Sequence, residues 1–312
     1  MLRPPDKLAA VRRALLLAPL VALVAAPAAG ALPKEYVLPG NDTFPEGVTL
    51  RPGTDQFFVT STTHGTVFRG TLGRAKPKVF LAPGKHGRLL ANGVHASRDR
   101  LIVAGSLTNK IFVYALPSGR LVRRFSTGEG GLVNDVTVAP NGDVYATDST
   151  RGLLFRVPAK AVEKRKSGIQ AVEPFVEFEN TPVGLYSNGL VAVGSRYMLV
   201  VGTVSGALVR VDLKTKAIRR VDLHGEPLLV GDGLARDGRT LYAVNSTNRV
   251  TQLKLSKNWL SARVQRQITS PRFKFATTVA IAGKRLLVVN GQLSQRGRNP
   301  SLPFTVSAVK RP

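Results

Sequence analysis

Six short segments of this chain repeat one step: an oxygen-bearing side chain, a small or polar residue, then a small aliphatic one. They are Glu46-Gly47-Val48, Asn92-Gly93-Val94, Asn134-Asp135-Val136, Asn188-Gly189-Leu190, Asp232-Gly233-Leu234 and Thr277-Thr278-Val279. The intervals between them are 46, 42, 54, 44 and 45 residues. A period in the forties belongs to repeat architectures in which each unit is one small sheet. A second column runs in phase with the first: Ser61, Ser106, Ser149, Thr203 and Ser246, at intervals of 45, 43, 54 and 43. Two columns in phase restrict the fold far more than one.

The stretches between the columns read as strands. Apolar runs such as Gln56–Thr60, Leu101–Ala104, Val144–Thr147, Met198–Val201 and Leu241–Val244 are each followed by a small polar turn. Turns such as Pro140-Asn141-Gly142-Asp143 and Arg236-Asp237-Gly238-Arg239 carry hairpin chemistry, with Asn-Gly and Asp-Gly supplying positive φ. Short, evenly spaced strands bounded by Gly, Pro, Asn and Asp indicate an all-β fold. About four strands per unit of roughly 45 residues makes a propeller blade. The expectation is therefore a six-bladed β-propeller, with blades opening near Phe44, Ala91, Val133, Ser187, Gly231 and Phe275. The third unit is longer because Lys160 to Val172 inserts a charged connection. A strand around Glu35–Leu38 is expected to complete the last blade, closing the ring and removing exposed sheet edges.

The segment 1–31 reads as an export signal, leaving 32–312 for the propeller. Arg3, Lys7, Arg12 and Arg13 form a basic start, Ala14 to Ala26 is apolar, and Ala26-Pro27-Ala28 and Ala29-Gly30-Ala31 are small-residue cleavage sites. Secretion or a periplasmic, extracytoplasmic location follows. The chain has no cysteine, which excludes disulfides, thiolate metal sites and a cysteine nucleophile. Lys and Arg number 45 against 19 Asp and Glu, a net charge of +26. A cation of that size is drawn to anionic envelope polymers or a membrane surface. The bases are scattered, Arg123-Arg124 and Arg219-Arg220 falling at late-strand positions expected to be exposed. No recognition helix, zinc finger or stacking platform is present, so no specific nucleic-acid partner is expected. A monomer is expected.

The residue opening each innermost strand points into the channel mouth of a propeller. Glu46 and Asp232 would bring two negative charges there, Asn134 and Asn188 amide oxygens, and Thr277 a hydroxyl. All-oxygen ligation suits Ca²⁺, and Mg²⁺ less well because it demands strict octahedral geometry. The competing reading is a hydrogen-bonded polar plug in a wet channel. It weakens for Glu46 and Asp232 together, since two close carboxylates repel unless a cation holds them. The four histidines show no metal spacing. His95 follows Asn92 by three, and strand alternation counts it onto the opposite face, as blade packing.

The phrases Phe44-Pro45-Glu46-Gly47, Val133-Asn134-Asp135-Val136 with Pro140-Asn141-Gly142-Asp143-Val144-Tyr145-Ala146-Thr147-Asp148-Ser149, Ser187-Asn188-Gly189-Leu190 and Gly231-Asp232-Gly233-Leu234 resemble the regucalcin, gluconolactonase and luciferin-regenerating-enzyme family. The resemblance runs over essentially the whole of 32–312. It implies a six-bladed propeller with one divalent cation in the channel, calcium or alternatively Mg²⁺ or Mn²⁺. It also implies a lactone hydrolase, with Glu46, Asn188 and Asp232 as metal ligands and Asn134 touching metal or substrate. Asp232 or Glu46 would take a proton from water, and Asn92, Asn134, Leu132 and Thr277 would face the substrate. Two departures qualify this. Sugar-lactone members carry an arginine where this chain has Leu132, and the paraoxonase branch carries a channel histidine where it has Asn92. A less polar lactone or ester is therefore expected. The alternative is a non-hydrolytic ligand-binding or envelope-associated propeller, with a structural metal or none.

Overall fold

The computed structural model describes residues 1–2, 32–163 and 166–312. The export segment 1–31 lies outside the described residues apart from Met1 and Leu2, and Lys164-Arg165 also lies outside them. Among the described residues no helix is long and apolar enough to cross a membrane.

Residues 32–312 form six antiparallel sheets, the blades of a six-bladed β-propeller. The innermost strands are Pro45–Leu50, Val94–Ala96, Val133–Val138, Ser187–Val193, Gly231–Asp237 and Ala276–Ala282. Each begins at, or within two residues of, one polar step. The sixth sheet runs from Ala276–Ala282 through Arg285–Asn290 and Thr305–Lys310 to Glu35–Val37, where Tyr36 stands opposite Val306. The first described strand is thus the outermost strand of the last blade.

Period-two alternation decides what each strand buries. In the strand Gln56–Ser61, Phe57 and Val59 pack with Leu287, Val289 and Phe304 of the sixth blade. Phe58 points the other way, onto Leu101, Val103, Phe112 and Tyr114 of the second. The same sharing is repeated around the ring, so the core consists of six apolar clusters, one between each pair of neighbouring blades. With aromatics at 6%, Val, Leu, Ile and Ala supply most of this packing. Burying each Val, Leu or Ile side chain contributes about 1.5–3 kcal/mol.

The polar step has a local structural cause. In five innermost strands the ladder slips by one residue at that step, for example between Pro45↔Ser61 and Val48↔Val59, and between Ser187↔Gly202 and Leu190↔Val200. The extra residue is a β-bulge, which bends the strand and re-aims a side chain. In the second blade Asn92 and Gly93 lie just ahead of the strand, with Asn92 N–H donating to Ala104 O at 3.0 Å.

Two expectations need correction, the exposure of Arg123-Arg124 and the place of His95. The described part of the charged connection carries a short helix, Ala159–Glu163, and a strand, Gln170–Ala171, that joins the second blade in parallel beside Leu121–Ser126, giving a fifth strand. As a result Arg123 is buried and hydrogen-bonded to Gln170, and Arg124 is half-buried, whereas Arg219 and Arg220 are exposed as expected. His95 is not blade packing. It lines the central channel, a cavity of about 370 Å³ bounded by residues of all six innermost strands. Counting from Asn92 misplaces it because Asn92 N–H and Gly93 O both pair with Ala104, at 3.0 and 2.9 Å, so here too the step carries one residue more than simple alternation allows.

Candidate functional site

Threonine hydroxyls tie several of the polar steps to the next blade. Thr60 Oγ1 accepts from Gly47 N–H at 2.8 Å and donates to Asn92 O. Thr147 Oγ1 accepts from Asp135 N–H at 3.2 Å and donates to Asn188 O at 2.8 Å. Thr277, fully buried, donates its own hydroxyl to Glu46 O at 2.9 Å, linking the sixth blade to the first. Neighbouring strands approach so closely that some steps have no room for a β-carbon. One built on Gly189 would lie 2.2 Å from Asp232 O, and one on Gly93 would lie 2.2 Å from Asp135 Oδ1. Entry to the ring is conformationally costly. Phe44, Tyr186, Val230 and Phe275, each one residue ahead of an innermost strand, have φ of 37°, 64°, 49° and 51°. Bulky residues hold that region only where the surroundings over-determine it.

Asn134 and Asn188 are locked by the second column. Asn134 Nδ2 donates to Ser149 Oγ at 2.7 Å, and Ser149 donates onward to Ser187 O at 2.7 Å. Asn188 Nδ2 donates to Thr203 Oγ1 at 3.1 Å, and Thr203 donates to Gly231 O at 2.8 Å. Each hydroxyl proton is committed to a backbone carbonyl, so the hydroxyl can only accept from the amide. Reversing either amide would set oxygen against oxygen. Both amide oxygens are thereby turned away from the blades, and both are buried without a hydrogen-bond partner.

Glu46, 3% exposed, also has a buried oxygen, Oε2, without a partner. Burial raises its pKa well above the ordinary carboxylate value, reinforced by the charges of Asp232 and Asp135. Burial and then Asp135 push Asp232 up to about 8, against a lowering hydrogen bond with Asn188. Asp135 is pushed up to about 7 by burial, although the amides of Val136 and Leu190 donate to its carboxylate. Three carboxyls therefore meet beside Asn188, with no cationic side chain among the causes of their shifts, and Asn134 presents a second oriented amide oxygen from the neighbouring step. Three orphaned acceptors cost free energy unless something positive or proton-bearing reaches them. Glu46, Asn134, Asn188 and Asp232 fit a hard divalent cation in charge and donor type. Among the described residues no group of three His, Cys, Asp or Glu has metal-holding geometry, so a fit requires the amides to take part.

Asn92 occupies the corresponding place in the second blade and is half-buried, as is Leu132. Leu132 N–H donates to Asp148 Oδ1 at 3.1 Å. Asp135 was not singled out from the sequence. Its signal is that it stands where four of the six steps have glycine.

No protein-family model matches the chain, and no curated protein matches it. Solved structures do. Mala s 1, the major allergen of Malassezia sympodialis, superposes with a TM-score of 0.69 at 13% identity, covering 89% of this chain and 96% of that one. Virginiamycin B lyase from Staphylococcus aureus gives 0.59 at 15% identity, covering 81% and 80%. A chain of a nidogen/laminin complex gives 0.61 at 15%, covering 78% and 86%. At such identities the likeness is one of fold: the chain is built as a six-bladed β-propeller, on a scaffold that an enzyme, an allergen and a protein complex also resemble.

Proposed function

We propose that this protein is an exported, monomeric, metal-dependent hydrolase of a lactone or related ester, of the regucalcin and gluconolactonase kind. Glu46, Asn134, Asn188 and Asp232 would hold one divalent cation, calcium by donor type, with Mg²⁺ and Mn²⁺ as alternatives. The observation that carries this reading is the set of three buried, unpartnered acceptors: Glu46 Oε2, Asn134 Oδ1 and Asn188 Oδ1. A polar plug would have paired them with donors.

A bound divalent cation would supply polarisation of the substrate carbonyl and an acidified water. The protein's residues supply the rest. Asp232, as a ligand carboxylate with a second oxygen free of the cation, would take the proton of the attacking water, and Glu46 is its alternate. Ser149 and Thr203 keep the amide oxygens of Asn134 and Asn188 aimed away from the blades. Asn92 and Leu132 would face and orient the substrate, whereas Thr277, fully buried with its hydroxyl proton committed to Glu46 O, would brace the ring instead.

The surroundings favour a substrate of low polarity. Leu89, Leu107, Leu185, Tyr186, Val204 and Leu229 are exposed by 41–66%. All six lie on turns between second and third strands or on connections leading into innermost strands, which topology places at the ring's end of the propeller. Turnover of alkyl lactones and aryl esters by calcium-loaded protein tests the proposal. Asp232→Asn should lower kcat by about 10²–10⁴-fold. Turnover indifferent to both EDTA and this substitution would overturn it.

A further inference from the structure

The outer edge of the second blade carries a cleft of about 970 Å³, far from the polar ring in the sheet order. Its walls come from three places: the connection bearing Lys85 and His86, the turn and outer strand bearing Arg120 and Arg124, and the inserted segment bearing Lys166. Four cationic side chains line it, and no carboxylate does. Among the described residues, none of the four takes part in an ion pair. Ser118, Ser167, Gly119 and Gly168 add small polar surface.

Arg124 is the informative member. One terminal nitrogen donates to His86 O at 3.3 Å, while its Nε–H is buried and unpartnered. A guanidinium donor out of water without an acceptor is costly, and an anionic oxygen is the acceptor that best relieves it. The positive field is independently visible at His86. Its pKa is lowered by burial and then by Lys85, Arg88 and Arg124. Residues 166–168, which lead into the inserted strand Gln170–Ala171, form one wall of this cleft, and no other blade has a fifth strand among the described residues.

We infer that this cleft is a binding site for a linear phosphate polymer, gripped by Lys85, Arg120, Arg124 and Lys166 along successive charges. Four cations spread over three segments suit a chain of repeated anions better than one compact anion. The site is independent of the hydrolase reading, since it shares no residue with the ring.

The test is equilibrium binding of fluorescent inorganic polyphosphate to the full chain, with inorganic phosphate as competitor. Lys85→Gln/Arg120→Gln alters two exposed side chains and should weaken binding at least tenfold. It should also reduce the slope of log affinity against log salt by about 0.7 per cation removed. Arg263→Gln/Arg266→Gln removes the same charge from the outer strand of the fifth blade, Ala262–Thr269, and should change affinity less than twofold. Arg124→Gln should weaken binding while retaining the wild-type melting temperature. Equal losses in the two double variants would overturn the site in favour of a diffuse field. Displacement by inorganic phosphate at concentrations matched in total phosphate would overturn the polymer assignment.

Discussion

The channel ring and the cleft on the second blade handle unpaired polar groups in opposite ways. In the ring, Glu46, Asp135 and Asp232 are buried, acceptors outnumber donors, and the carboxyl pKa values rise. In the cleft, cations outnumber anions, the orphan is a donor, and a histidine pKa falls. Depth separates the two in consequence. A buried carboxylate with too few donors around it must gain a proton or a cation, because desolvation disfavours its bare charge. A mostly exposed lysine or arginine keeps its water and contributes to attraction without threatening the fold. The ring is therefore expected to govern stability, and the cleft association.

The largest effect should come from filling the space on which the ring depends. Gly189→Ala places a β-carbon against Asp232 O and Leu234 N, so it should cost about 3 kcal/mol and abolish the response to Ca²⁺. Gly73→Ala, with no atom within 4 Å of its β-carbon, should stay within about 0.5 kcal/mol. Denaturant midpoints with and without Ca²⁺ would check both. Equal behaviour of the two variants would break the claim that the ring is sterically defined.

Next in size is pH. The folded-state pKa values of Asp135 and Asp232 lie above their unfolded values of 3.8. Between these limits the unfolded chain has lost protons that the folded one keeps. The stabilisation is complete below about pH 4 and is lost as pH rises toward 7–8, at up to about 1.4 kcal/mol per pH unit for each proton of difference. Metal-stripped protein should lose this contribution over that interval, and saturating Ca²⁺ should flatten the dependence, with protons released on binding. Thermal melts from pH 4 to 8 decide it. Lys85→Gln/Arg120→Gln should follow the wild-type curve.

A smaller effect should sharpen the picture. Ser149→Ala and Thr203→Ala remove the acceptors that orient Asn134 and Asn188, so each should weaken Ca²⁺ binding by about tenfold. Calorimetric titration would measure this. An affinity unchanged in both variants would mean that amide orientation is immaterial.

Much of the fold was legible because a radial repeat writes one structural event six times. The two columns fixed the blade starts, and Glu35–Val37 does pair with the last blade. What escaped was local to single blades. His95 was miscounted because a bulge is invisible to period-two reasoning. Asp135 looked like a variant of the glycine position, since its burial depends on space left by Gly93 and on an amide 55 residues away, Leu190 N–H. Arg123 and Arg124 looked exposed because the strand that covers them, Gln170–Ala171, is too short to carry a period. The ring chemistry was half legible: the sequence named the oxygens, but only the hydroxyl network decides which way the amides point.

The most direct measurement is the melting temperature of EDTA-stripped protein with and without Ca²⁺, for the wild type beside Asp232→Asn. Calcium at 100 times its dissociation constant should stabilise the wild type by about 2.7 kcal/mol and leave the variant nearly unmoved. Identical melts with and without Ca²⁺, Mg²⁺ and Mn²⁺ in the wild type would contradict the account and leave the ring as a protonated polar plug.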